Sequence, residues 1–332
     1  MGVAVNRLNQ PGLHMKIKVL TALVLLLVFT RSTAQSTAYS IDTVATTGAN
    51  DKLESFYFTL QPLQPSKGLL VIIPGFMTPP QEMMKETRLH DAAVAKGYTV
   101  LIPFLILPNA TETMGLVQRR LEIIVTNAMK KYRIPDGKLV IGGHSIGGLY
   151  AMCYAETTQK PGRDSLVKPA AVFGVDPPLD LKRLYNGYDR AMKEGVGLNS
   201  EATMITERFR KIFGGTPQQE AANYEKESAY TADAAQGGNT HYLKNMPVRL
   251  YCDPDINWFI RERQTSVAWL NLADLTGCIV ALNKMGNKKA ELVTALGKGY
   301  LPNGTRHPHA FSLLDADECV TWFNRILYPH DK

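Results

Sequence analysis

The chain has 332 residues, of which 45% are hydrophobic and 20% charged, with a formal net charge of +7. That apolar share suffices for one large α/β domain, or one domain with an insertion, and excludes an extended disordered protein. Arg7, Lys16, Lys18 and Arg31 lie in the first 34 residues, which hold no acid, so the remainder carries 33 basic against 30 acidic residues, a net of +3. The remaining lysines and arginines form no stripe interleaved with aromatics, which argues against nucleic-acid binding.

The N-terminal stretch "MKIKVLTALVLLLVFTRSTAQS" places Lys16 and Lys18 before an 11-residue, largely apolar run, Val19 to Phe29. Ser32 and Ala34 then precede Gln35 with the spacing of a cleavage site. This is the grammar of a secretory signal and predicts a signal peptide over 1–34 and a secreted or periplasmic product. The run is short of the roughly 20 residues that a membrane span needs, so no stable span is expected after its removal.

Two strand-like stretches follow, "AYSIDTVAT" and "LESFYFTL", rich in β-branched and aromatic residues. "GLLVIIPG" is a continuous apolar run, the mark of a strand buried on both faces. A helix-like "PPQEMMKETRLHDAAVAKG", a strand-like "YTVLIPFLI" and a helix-like "TETMGLVQRRLEIIVTNAMKKYRI" come next. In the last of these, Leu116, Arg119 and Arg120, Ile123 and Ile124, and Ala128 have helical spacing. "GKLVIGG", the helix-like "IGGLYAMCYAETTQ" and the strand-like "PAAVFGV", ending at Asp176, continue the alternation. Strands and helices in alternation predict an α/β fold: a mostly parallel central sheet with helices on both faces.

The pattern breaks over 177–246, where polar, helix-forming stretches predict a helical cap inserted between a first core part, 35–176, and a second, 247–332. Tyr185, Tyr188, Phe209, Phe213 and Tyr224 are candidates to line a pocket under it or to form its core. The second part reads as the strand "PVRLYC", a long helical stretch from Ile260 to Asn287, the strand "AELVTALG", a polar loop and a last helix, "DADECVTWFNRIL". Cys153, Cys252, Cys278 and Cys319 are dispersed in apolar surroundings, without zinc-like spacing, and read as buried free thiols.

The segment "KLVIGGHSIGGLYAM" contains Gly143-His144-Ser145-Ile146-Gly147, a G-x-S-x-G between a buried strand and a helix. A nucleophile on so sharp a turn tolerates only small neighbours two residues either side. The turn lifts the hydroxyl above the sheet edge and aims the first helical N–H groups, beginning with that of Ile146, at a developing oxyanion. A glycine-rich phosphate-binding turn is the competing explanation, and no G-x-x-x-x-G-K-[ST] supports it.

On "GGHSIGG", "IIPGF", "PVRLYCDPDINW" and "RHPHAFS", the chain resembles the α/β-hydrolase superfamily over nearly all of the part after residue 34. The resemblance implies Ser145 as nucleophile, a late histidine as base and an aspartate as orienting acid. His309, entering the last helix, is favoured over His307; His144 reads as a packed neighbour of the serine. Asp255 is the expected acid, by its place after "PVRLYC", with Asp253 and Asp176 as alternatives. Asp253 stands where superfamily members commonly carry glycine. Phe76, after Gly75, is the expected second backbone oxyanion donor, with Met77 as its alternative. No cofactor-binding residue and no metal ligand is implied. The expected activity is a serine hydrolase acting on a small carboxylic ester. An acyltransferase, an amidase or peptidase, and an inactive hydrolase-like binding protein are the other readings; the oligomeric state is not legible.

Overall fold

The computed structural model describes residues 39–45, 54–105, 114–196 and 199–330. The expected signal peptide lies outside the described residues. The strands are β1 (Tyr39–Ala45), β2 (Glu54–Leu60), β3 (Gly68–Ile73), β4 (Tyr98–Phe104), β5 (Leu139–His144), β6 (Ala171–Val175), β7 (Val248–Cys252) and β8 (Ala290–Thr294). They form one sheet in the order β1-β2-β4-β3-β5-β6-β7-β8. β2 is antiparallel to both its neighbours, and every pairing from β4 to β8 is parallel. The continuous apolar runs sit at the centre, where both faces are covered.

Strand periodicity divides those runs between two cores. Leu69, Val71 and Ile73 of β3 and Leu139 and Ile141 of β5 face one side. Leu70 and Ile72, with Val140, face the other. Helices α3 (Met114–Lys131), α4 (Ile146–Gln159) and α9 (Asn271–Lys284) supply apolar residues to the first core. Helices α1 (Pro80–Glu86), α2 (Leu89–Ala95) and α10 (Ala316–Leu327) supply the second. Of the stripe expected on α3, Ile124 and Ala128 are fully buried and Leu116 and Ile123 only half-buried, while Leu121 joins the buried face. Among the described residues no helix is long and apolar enough to cross a membrane.

Between β6 and β7 the chain forms α5 (Leu181–Glu194), α6 (Asn199–Phe213), α7 (Ala221–Glu227) and a 3-10 segment, Ala235–Leu243. The Asp180 carboxylate caps α5, accepting from the N–H groups of Lys182 and Arg183 at 3.0 and 3.1 Å. Gly195 closes the same helix in the left-handed region, φ 66°. Arg183 pairs with the buried Asp274 of α9, tying this helical segment to the helices around the sheet.

Two elements differ from the sequence reading. The stretch "PPQEMMKETRLHDAAVAKG" is two helices, because Thr87 turns extended and its hydroxyl accepts from the Leu89 N–H at 3.2 Å. The helical stretch expected from Ile260 starts earlier, as α8 (Ile256–Arg263), and breaks where Gln264 enters the left-handed region at φ 48°. α9 then begins afresh at Asn271.

Candidate active site

β5 runs into α4 with a single residue between them, Ser145. Its backbone has φ 54° and ψ −128°, a region that a residue with a Cβ occupies only under constraint. The Ser145 N–H donates to Val175 O at 2.9 Å, and the Gly148 N–H turns back to Ser145 O at 2.9 Å, which holds the turn in place. The two flanking glycines are there for room. A Cβ on Gly143 would lie 2.5 Å from Ile73 O, and one on Gly147 would lie 2.2 Å from the same oxygen. The start of α4 therefore packs directly on the end of β3, leaving the hydroxyl above the carboxyl edge of the sheet.

His309 enters from the loop before α10. Its Nε2 lies 2.9 Å from Ser145 Oγ and its Nδ1 lies 2.5 Å from Asp176 Oδ2. Nδ1–H donates to the carboxylate, so Nε2 is left to accept the serine proton. Burial alone would lower the pKa of this imidazole. The hydrogen bond and charge of Asp176, joined by Glu201 and Glu86, outweigh it and hold the pKa above histidine's ordinary 6.5. Asp176 follows β6 with φ 45°; its N–H donates to Tyr251 O at 2.8 Å and its own carbonyl accepts from Asn271 Nδ2 at 2.8 Å. These contacts fix a strained turn whose side chain is only 11% exposed.

Asp255, expected as the acid, is placed elsewhere. It caps α8, accepting from the Trp258 N–H at 3.0 Å, and pairs with Arg306 at 3.1 Å. Asp253 is likewise engaged, accepting from the Gly297 and Gly299 N–H groups at 3.1 Å each and pairing with Arg306 at 2.7 Å. The reason lies in strand order. β6 hydrogen-bonds directly to β5, with Val175 beside His144, whereas β7 is one strand further out. An imidazole reaching Ser145 thus meets the end of β6, one strand spacing of about 4.8 Å sooner than the end of β7. The two other aspartates serve the loop instead. Arg306, held by both, donates to Gly299 O at 2.7 Å and anchors the segment that carries His309.

The two remaining histidines near the serine have distinct places. His144 is buried; desolvation and the nearby charge of His309 push its pKa down to about 3, so it is neutral. Its Nε2–H donates to the carbonyl oxygen of His309 at 2.6 Å, and its ring stacks on Phe311 with centroids 5.3 Å apart. It packs as expected, and the bond to His309 is an addition that the sequence did not reveal. His307 accepts at Nε2 from Arg263 at 3.2 Å and meets the Trp258 ring edge-on at 5.4 Å.

Phe76 and Ile146 line the same cavity as Ser145. The turn after β3 passes close to the serine: a Cβ on Gly75 would stand 3.6 Å from Ser145 Cβ. Met77 is at φ 52°, with an exposed side chain. The cavity measures about 360 Å³. Its lining includes the apolar Leu149, Leu184, Ile205, Phe209, Ile212 and Phe213; Trp258 and Arg263 line it beside His307, and Arg190 lies over the Trp269 ring at 5.4 Å. Tyr188, Phe209 and Phe213 line it as candidates, while Tyr185 and Tyr224 pack against each other with centroids 5.9 Å apart, behind the wall. The helical period of Glu201, Ile205, Arg208 and Ile212 on α6 was the available signal for that wall. Among the described residues no group of three or more acidic, histidine or cysteine side chains is arranged to hold a metal.

A serine on a strand-to-helix turn, at the carboxyl edge of a mostly parallel eight-stranded sheet whose second strand alone runs against its neighbours, is the α/β-hydrolase fold. Comparison with solved structures gives the same class. The chain is similar to one of two fungal esterases from Rhizomucor miehei, with TM-score 0.60 and 13% identity over 98% of this chain and 94% of that one. It is similar to carboxyl esterase 2 of the mycorrhizal fungus Tuber melanosporum, with TM-score 0.56 and 14% identity over 89% of each chain. It is also similar to esterase B from Lactobacillus rhamnosis, with TM-score 0.54 and 13% identity over 95% and 96%. No protein-family model and no curated protein matches the chain.

Proposed function

We propose that the protein is a serine esterase that cleaves a small carboxylic ester through an acyl-enzyme. The hydrogen-bonded chain Ser145–His309–Asp176 carries this reading. His309 Nε2 takes the hydroxyl proton as Ser145 Oγ attacks the carbonyl carbon, and returns it to the leaving alcohol oxygen. Asp176 holds the tautomer and balances the imidazolium. The backbone N–H groups of Ile146, at the start of α4, and of Phe76 are the donors for the oxyanion. Water, deprotonated by the same imidazole, then attacks the acyl-enzyme and releases the acid. The esterases similar in structure support the substrate class.

Ser145→Ala should lower kcat on p-nitrophenyl butyrate by about 10⁶-fold and abolish labelling by a fluorophosphonate, with the circular dichroism spectrum unchanged. A variant that keeps a tenth of the wild-type rate would sink the reading. A wild-type protein that never labels would instead favour a hydrolase-like binding protein. The N-terminal pattern further supports export, with the mature chain beginning at Gln35. Mass analysis of exported protein tests this; retention of Val19 to Phe29 would refute it.

A further inference from the structure

We propose that the alcohol half of the ester bears a negatively charged oxygen group and that Arg263 receives it. The inference rests on the esterase reading above. In acyl transfer from a serine, the imidazole that takes the serine proton must hand it to the leaving oxygen. The leaving group therefore lies on the imidazole side of Ser145.

That side of the cavity is built from His307, Trp258 and Arg263, all of them lining residues. The His307 ring centroid lies 6.3 Å from that of His309. The Arg263 guanidinium carbon lies 5.3 Å from the Trp258 ring centroid, and Nη2 donates to His307 Nε2. Arg261, on the same helix, is exposed, whereas Arg263 is turned in and half-buried. A guanidinium held between an indole and an imidazole is pre-organised, and most of its five N–H donors remain free to meet an oxyanion.

Arg263 differs in charge balance from three other inward-turned arginines. Arg183 is paired with Asp274, Arg249 with Glu291 and Glu318, and Arg306 with Asp253 and Asp255. Among the described residues no carboxylate stands within 4 Å of Arg263. Of the four acids lining the cavity, three are engaged elsewhere: Asp176 by His309, Asp253 by Arg306, and Glu201 by the Tyr188 hydroxyl at 2.9 Å; the fourth, Glu227, has its pKa raised by burial, which favours its neutral form. The wall beside His307 thus carries the Arg263 charge without a carboxylate to balance it. Burial, together with the charges of His309 and Arg263, pushes the His307 pKa down to about 4. An anion beside Arg263 balances its charge, and a carboxylate, sulfate or phosphate matches the guanidinium fork. Arg208 also has no carboxylate partner, but it lies over the Phe76 ring at 5.7 Å, on the oxyanion side of the serine.

The test compares 4-acetoxybenzoate with 4-acetoxybenzamide, which share the acetyl group and the size of the leaving phenol and differ in charge. The wild type should favour the anion in kcat/KM by about tenfold or more, chiefly through KM, and less so at high salt. R263M should bring the ratio close to one, with R263K between the two. Fluorophosphonate labelling of each variant verifies that Ser145 is still reactive, and R263Q serves should R263M fail to label. Hydrolysis of both esters at equal efficiency by the wild type overturns the inference and leaves the esterase reading intact. A preference that survives both R263M and R263Q also overturns it, placing the anion at Arg208 or Arg190. A wild type that hydrolyses neither ester and does not label overturns the esterase reading and this inference with it.

Discussion

At the scale of single residues, the 2.5 Å between His309 Nδ1 and Asp176 Oδ2 supports Asp176 as the acid of the proposed triad. Asp176→Asn should lower kcat by about 10⁴-fold, because an amide stabilises the wrong imidazole tautomer and cannot balance an imidazolium. Asp255→Asn should cost about tenfold or less, since asparagine remains a good helix cap and Arg306 keeps Asp253. Measuring kcat for both on p-nitrophenyl butyrate decides between them; a dead Asp255→Asn beside an active Asp176→Asn would reverse the assignment. The pH profile gives a second check. His309 acts as base only when neutral and its pKa is raised, so kcat/KM should climb with pH and reach half its plateau above pH 6.5. In Asp176→Asn the raising interactions with that carboxylate are lost while burial still disfavours the imidazolium, so the residual activity should reach half-plateau at lower pH. That Ser145 and His309 come together was legible from the motif and from chain order. The aspartate that meets His309 was not, because three aspartates follow strands and one sequence contains no measure of which strand lies beside β5.

At the scale of elements, the site depends on how closely α4 sits on β3. Gly147 has no room for a Cβ, since the nearest obstacle is the backbone oxygen of Ile73 at 2.2 Å, which cannot swing aside as a side chain would. Gly147→Ala must push the start of α4 away from β3, moving Ser145 and the Ile146 N–H with it. The expected outcome is a clear fall in Tm, corresponding to about 1–3 kcal/mol of overpacking strain, and a larger fall in activity than stability alone explains. Gly162 is a useful comparison, because it lies in a turn with nothing within 4 Å and tests only the left-handed backbone at φ 75°. A Gly147→Ala variant with wild-type Tm and kcat would mean that the turn is not under the constraint described. The strands, α3 and α4 were readable from runs and periods. The break at Thr87 and the early start of α8 were not: a threonine hydroxyl and an aspartate carboxylate compete locally for backbone N–H groups, and a hydrophobic period is blind to that competition.

At the scale of the whole molecule, the four cysteines are buried and unpaired, Cys153, Cys252 and Cys278 in one core and Cys319 in the other, each on a different element. A thiol-reactive dye should therefore count four thiols only after unfolding, and Tm should be the same with and without reductant. Fewer than four in denatured, unreduced protein would contradict the fold as described. The sequence by itself determined the alternation of buried strands and helices, the strand-turn-helix around Ser145 and the late entry of His309, because these follow from the spacing of apolar residues and glycines along one chain. Only the tertiary structure decided that Asp176 meets His309, that Arg306 ties Asp253 and Asp255 to the histidine loop, and that Trp258, Arg263 and His307 stand together on one wall. Those contacts join residues as much as 133 positions apart, and their partners are chosen by the order of strands in the sheet and by which helix covers the serine. That order is settled by packing the two faces simultaneously, a condition on the whole chain that no local stretch of it contains.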